Sequence, residues 1–178
     1  MAVMANILIL YSTTDGHTQA ICQKIESIAE QQGHQVTLVS IDDAIQPDPS
    51  LFDKVVVGAS IRYGKHRKAV YEFIHRHQAV LAEKPSAFFS VNAVARKPEK
   101  NRPHTNPYCR KFMQQIPWQP DQAAVFGGEI AYQKYGILDR LMIRCIMYIT
   151  HGPTDPDSVT DFTDWNQVET FAHTICDM

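Results

Sequence analysis

The stretch Ile7-Leu8-Ile9-Leu10-Tyr11-Ser12-Thr13-Thr14-Asp15-Gly16-His17-Thr18 decides the fold. Ile7 to Tyr11 form a continuous apolar run of strand length, and the polar run after them, with Gly16 inside it, reads as a loop. From His17 to Gln32 the apolar residues Ile21, Ile25, Ile28 and Ala29 fall at helical spacing, and Gly33 follows as a helix stop. Strand, polar loop and helix in that order open an α/β domain.

Outward from this unit the alternation repeats. Val36, Leu38, Val39 and Ile41 form a second strand, followed by a turn at Gln46-Pro47-Asp48-Pro49. Lys54 to Ala59 is a third strand, and Val70, Phe73, Ile74, His77 and Leu81 line one face of a single helix. Ser86 to Val91 is the fourth strand, a helix lies near Tyr108 to Gln115, and Ala123 to Gly127 is the fifth strand. Thr163-Asp164-Trp165 opens a last helix with Val168, Phe171, Ala172 and Ile175 on its inner side.

Near-continuous apolar strands are buried on both faces, so the sheet is expected to be parallel and doubly wound, with helices on both sides. One domain over residues 1–178 is expected, with insertions at about 95–107 and 132–156. Ligands of such sheets bind beyond the carboxyl ends of the strands, which points to the loops after strands one, three, four and five.

With 44% hydrophobic residues, the chain is long enough for one sizeable core without a disulfide or metal staple. Its 17 basic and 19 acidic side chains leave a net charge of −2, which argues against a nucleic-acid partner. Cys22, Cys109, Cys145 and Cys176 lie far apart with no C-x-x-C pair, so inert thiols in a reducing compartment are expected, and no metal site. The N-terminal MAVMANILILYS lacks a basic leader region and is read as a first strand rather than a signal peptide.

The loop Ser12-Thr13-Thr14-Asp15-Gly16-His17-Thr18 brings hydroxyls and backbone amides to the mouth of a helix, where free N–H groups and the helix dipole favour an anion. The Walker lysine and the G-x-G-x-x-G pattern are both missing, so a monophosphate fits better than a triphosphate or a dinucleotide. The plainer reading is that these residues only cap the helix. His17 is the histidine placed to meet a ligand. His34 and His173 lie at helix ends, where surface positions are expected, and His75 and His77 point to different helix faces.

Here the chain resembles the flavodoxin family, whose phosphate loop T-x-T-G-x-T holds the phosphate of FMN. Asp15 departs from that pattern, because a carboxylate repels a phosphate, and it is expected to cap the helix or point away. The later loops Gly58-Ala59-Ser60-Ile61-Arg62-Tyr63-Gly64 and Ser90-Val91-Asn92-Ala93-Val94-Ala95-Arg96-Lys97-Pro98-Glu99-Lys100 resemble those of the menaquinone-dependent protoporphyrinogen IX dehydrogenases, a flavodoxin-like family of haem synthesis. The resemblance covers nearly the whole chain. It implies a flavodoxin-like fold in which Ser60, Ile61, Arg62, Tyr63 and Gly64 form one wall of a flavin, and Ser90, Val91, Asn92, Ala93 and Val94 the other. Tyr63 is then either a stacking partner or an aromatic lid over the sheet edge.

The resemblance further implies FMN-dependent oxidation of protoporphyrinogen IX, with electrons passed to menaquinone or ubiquinone at the cytoplasmic face of the bacterial inner membrane. Its substrate carries two propionates, which guanidinium forks match, so Arg62 and Arg96 are candidates for gripping it. No side chain is nominated as catalytic, since the cofactor carries the reactivity.

The second insertion holds Ile137 to Ile149, an apolar helix with Asp139, Arg140 and Arg144 in one sector and Leu138, Leu141, Met142, Cys145, Ile146 and Ile149 opposite. It is about 20 Å long, too short to span a bilayer. Leu138, Leu141, Met142 and Ile146 would meet a membrane surface or a quinone; burial in the core is the other reading. Two alternatives to the enzyme stand beside it, a flavodoxin-type electron carrier and an NAD(P)H quinone reductase. A carrier is expected to be far more acidic than −2. An assembly of like subunits is compatible with the sequence.

Overall fold

The computed structural model describes residues 3–178; Met1 and Ala2, the first residues of the N-terminal stretch, lie outside them. Five strands, β1 (Asn6–Ser12), β2 (Gln35–Ser40), β3 (Lys54–Ser60), β4 (Ser86–Val91) and β5 (Gln122–Phe126), form one parallel sheet in the order β2-β1-β3-β4-β5. Ile7 sits between Val36 of β2 and Lys54 of β3, and Gly58 of β3 lies beside Phe89 of β4. The doubly wound, flavodoxin-like architecture expected from the alternation is present.

Because side chains alternate across each strand, the sheet feeds two cores. On one side Ile7, Ile9, Val56, Phe89 and Phe126 pack against α1 (His17–Gln31) and α6 (Trp165–Asp177). On the other, Leu8, Leu10, Val57, Phe88 and Val125 meet α2 (Lys68–Arg76), α3 (Gln78–Glu83) and α4 (Pro107–Gln115). Helix α6 starts where the sequence placed it, with the Asp164 carboxylate accepting from the N–H groups of Asn166 and Gln167. At its other end the carbonyls of Ile175 and Cys176 accept from the buried ammonium of Lys54, at 3.1 and 2.6 Å.

Several expectations are corrected. The helix read through Val70 to Leu81 is two helices, broken at His77, whose ψ of 17° leaves the helical range while its ring packs on Phe73. The break keeps Val70, Phe73, Ile74 and Leu81 buried on the sheet. His34 is buried, its Nδ1 accepting from the Ala5 N–H at 3.1 Å, and is not a surface residue. Cys145 is exposed, unlike Cys22, Cys109 and Cys176. The second insertion is bracketed by an antiparallel hairpin of β6 (Glu129–Ala131) and β7 (Val159–Asp161), strands too short to leave a period in the sequence. It departs through Gly127, where any Cβ would lie 2.4 Å from the Phe162 carbonyl oxygen.

Helix α5 (Ile137–Ile149) packs the opposite way round from a core helix. Met147 is its one buried residue; with Ile143 it joins a small cluster with Ile130, Tyr132 and Tyr135. Beside this inward stripe Arg140 and the exposed Arg144 lie on the edge of the helix and bond to backbone carbonyls. Its apolar half faces outward, with Leu138 82% and Leu141 60% exposed, and the core reading is ruled out for that half. No helix among the described residues is long and apolar enough to cross a membrane.

Candidate functional site

The parallel register ends β1, β3 and β4 together, so the three loops that follow them converge at one edge of the sheet. The first loop turns through Gly16, the N-cap of α1, at φ 89°, a conformation in which a side chain is strained. Its amide donates to the Thr13 hydroxyl at 2.9 Å, and no side chain caps the first turn of α1. Asp15 therefore does not cap the helix. The Oγ of Ser12 and Oγ1 of Thr18 are buried and have no partner. Two orphaned hydroxyls beside an uncapped helix start are unfavourable unless something accepts from them.

The second loop forms a tight turn in which Arg62 and Lys65 exchange backbone hydrogen bonds, with Tyr63 at φ 52° and Gly64 at φ 78° at its tip. It is held to the third loop by the Ile61 N–H donating to the Val91 carbonyl at 2.9 Å. The third loop is fixed from behind. Asn92 accepts from the Ala95 N–H and from the Asn106 amide, its own amide lies 3.2 Å from the Ser90 hydroxyl, and that hydroxyl lies 2.9 Å from His66. Burial pushes the His66 imidazole down to about 4, so it is neutral over the physiological range. Sequence reasoning overlooked His66 because it lies outside every loop motif.

An open cleft lies between these loops, beyond the strand ends where ligands of such sheets bind. It gathers Thr13, Thr14, Asp15, His17 and Thr18 with Ser60, Ile61, Arg62, Tyr63 and Gly64, and with Val91, Asn92, Ala93 and Val94. Ser12, Gly16 and Ser90 stand behind the lining and shape it. The sequence missed Tyr108, Gly128, Glu129, Ile130, Tyr135, Ile143 and Met147, which close the remaining side. For Gly128 and Glu129 a signal existed, since they follow the fifth strand.

Charge in the cleft is arranged in pairs. Arg62 donates to Asp15 at 3.0 Å, and its guanidinium lies 5.1 Å from the centre of the Tyr135 ring. Burial raises the Asp15 carboxyl above the usual carboxylate value despite the opposing pull of Arg62. His17 lies 2.6 Å from the Thr163 hydroxyl, 3.5 Å from Asp161 and 3.8 Å from Glu129, tying the first loop to the hairpin. Across the cleft mouth the Tyr63 hydroxyl donates to Asp139 of α5.

The candidates of the insertions separate. Ile146 lines the cleft as well as the outer face of α5, whereas Leu138, Leu141 and Met142 face away from it. Arg96 does not line the cleft. Its guanidinium donates to the Ala93 carbonyl at 2.8 Å, to the Thr150 carbonyl at 3.1 Å and to the Thr150 hydroxyl at 3.0 Å, and lies over the Phe162 ring. Those bonds make it a clamp between the third loop and the end of α5, in place of the substrate grip expected of it.

A flavodoxin domain model matches residues 8–157. The protoporphyrinogen IX dehydrogenase (quinone) of Escherichia coli strain K12 is 44% identical over 168 residues, 94% of this chain and 93% of that one. A protein of the same name from Leishmania major is 42% identical over 166 residues, 93% of this chain and 72% of that one. Among solved structures, an archaeal flavodoxin superposes with a TM-score of 0.54 at 16% identity, over 97% of this chain and 96% of that one. Oxidised flavodoxin 1 from Bacillus cereus superposes at 0.56 and 12%, over 97% of each chain.

Proposed function

The chain belongs to the flavodoxin-domain family and, within it, to the quinone-dependent protoporphyrinogen IX dehydrogenases, and on that premise we propose that it oxidises protoporphyrinogen IX to protoporphyrin IX with FMN as its cofactor and a menaquinone or ubiquinone as acceptor. The observation that carries the cofactor is the pair of buried, unpartnered hydroxyls of Ser12 and Thr18 at the uncapped start of α1. A phosphate there accepts from both, and from the loop amides, with no lysine required. One phosphate is the capacity of a loop this short, which favours FMN over a dinucleotide flavin.

The loops Ser60–Gly64 and Asn92–Val94 would wall the ring, and Ile61, Val91, Ile143 and Met147, which line the cleft, would keep water from it. When bound, the flavin supplies two-electron transfer, so the six-electron oxidation takes three rounds, each closed by a quinone. Arg62, half-shielded and at the rim beside Tyr63, offers a cation to a substrate propionate. The remaining chemistry asked of the protein is orientation and exclusion of water.

Access to a lipid-borne quinone comes through α5, whose outward Leu138, Leu141 and Met142 fit the cytoplasmic face of an inner membrane. Ile146 joins that face to the cleft. The test is anaerobic mixing of the purified, flavin-loaded protein with protoporphyrinogen IX and a quinone. Porphyrin fluorescence that appears only with the quinone is the expected result. Flavin bleaching by NADH, with no porphyrin formed, would assign the cleft to an NAD(P)H quinone reductase instead.

A further inference from the structure

We propose that Arg140 and Arg144 form a binding site for the phosphate of an anionic lipid headgroup, an inference that rests on the membrane reading of α5. The two arginines lie four residues apart on one edge of the helix, a spacing that sets Cβ atoms about 5–6 Å apart. Each is pinned by its Nε alone: Arg140 donates to the Tyr132 carbonyl at 3.1 Å and Arg144 to the Thr154 carbonyl at 2.8 Å. Among the described residues their Nη groups have no hydrogen-bond or ion-pair partner. The side-chain freedom that an arginine ordinarily loses on binding is thus partly removed in advance, with the forks left free.

Their position matches a headgroup. On the helical wheel they lie between the inward stripe of Ile143 and Met147 and the outward face that carries Leu141 and Tyr148. Arg144 lines a shallow surface groove with Leu141, Cys145, Tyr148 and Thr154. A helix lying with its apolar face about 5–10 Å into the acyl boundary holds its flanking residues at phosphate depth. Tyr148, 77% exposed, is the type of residue enriched at that level.

Competing anions are engaged elsewhere. Asp139 accepts from the Tyr63 hydroxyl, and Asp155, which follows Thr154, accepts from the Asp157 N–H at 3.0 Å and pairs with neither arginine. A second copy packed on this face would bring four guanidiniums together with no free carboxylate on α5 to meet them. An anionic lipid supplies the missing charge.

The experiment is co-sedimentation of the flavin-loaded protein with vesicles of phosphatidylcholine alone and with vesicles containing roughly one-third phosphatidylglycerol. Wild type is expected on the mixed vesicles, less so as salt rises, and Arg140→Gln/Arg144→Gln should lower that partition about 30-fold. The corresponding pair of lysine substitutions should lower it less, because charge is kept and only the fork is lost. Equal, salt-insensitive binding of wild type to both vesicles would overturn the arginine site while leaving apolar docking intact. Binding to neither would sink the docking reading as well. A dimeric mass with no vesicle binding would assign the face to a second copy. If the double variant loses its flavin, the single variants Arg140→Gln and Arg144→Gln decide the matter: each should lower partition about fivefold, and unchanged partition in both would overturn the site.

Discussion

Arg62 and Asp15 meet across the cleft mouth, guanidinium to carboxylate at 3.0 Å, so the acid of the phosphate loop is neutralised from the opposite wall. This pairing would let a carboxylate stand beside the proposed phosphate. It also gives Arg62 two roles that can be separated. Arg62→Ala should weaken FMN about tenfold by leaving Asp15 uncompensated, and should raise the KM for protoporphyrinogen by a similar factor. Asp15→Asn in that background should restore flavin affinity but not the KM. Recovery of both would show that Arg62 acts on the substrate only through the flavin site.

Thr18→Val should move two measurements in opposite directions. Removing a buried hydroxyl that lacks a partner should stabilise the flavin-free protein by about 1 kcal/mol, a rise in Tm of about 2–4 °C. Losing a donor to phosphate should weaken FMN by roughly 10- to 150-fold. Calorimetry and flavin titration on the same preparation check both, and parallel changes would contradict the phosphate assignment.

Arg96→Ala should act on stability and leave substrate alone. Its hydrogen bonds to Ala93 and Thr150 tie the third loop to the insertion, and their loss should cost about 2 kcal/mol, or about 4–8 °C in Tm. The KM for protoporphyrinogen should be unchanged. A large KM effect at constant Tm would return Arg96 to the substrate.

Leu138→Glu/Leu141→Glu should change unfolding free energy by less than about 0.5 kcal/mol, because both side chains are already mostly in water. Membrane binding and turnover with lipid-embedded menaquinone should fall, while turnover with a small soluble quinone persists. Insoluble or flavin-free protein would place the two residues in an interior after all.

His66 should make stability fall on the acid side. The folded protein refuses a proton until pH about 4, whereas the unfolded chain takes one near pH 6.5, so the unfolded state binds more protons throughout that window. Stability is therefore complete above pH 6.5 and declines as pH drops, by about 2 kcal/mol between pH 7 and pH 5. His66→Gln, which keeps a polar partner for Ser90 and cannot titrate, should flatten that limb in urea titrations across pH.

The three central strands were readable because burial on both faces leaves unbroken apolar runs, Ile7–Tyr11 and Ser86–Val91 among them, that compete with no other period. The walls of the cleft were readable because chain order and strand ends fix where those loops fall. What escaped the sequence depends on distant partners. Arg96 has the composition of a substrate grip, and only its bonds to Ala93 and Thr150 make it a clamp. The direction in which α5 faces was equally hidden, since a wheel separates apolar from polar residues without saying which half meets protein. His34 and His66 are buried by elements far along the chain.

The placement of α6 has a consequence for how the molecule is made. One whole side of the sheet is closed by α1 and α6 together, and Lys54 receives its acceptors from the last turn of α6. Ribosomes deliver about 5–20 residues per second, so α5 emerges a few seconds before the end of α6 does. During that interval the nascent chain shows water two greasy surfaces, the uncovered sheet and the outer face of α5, and the second persists after the first has closed. Yield in a heterologous host should therefore depend on what meets the chain as it leaves the tunnel.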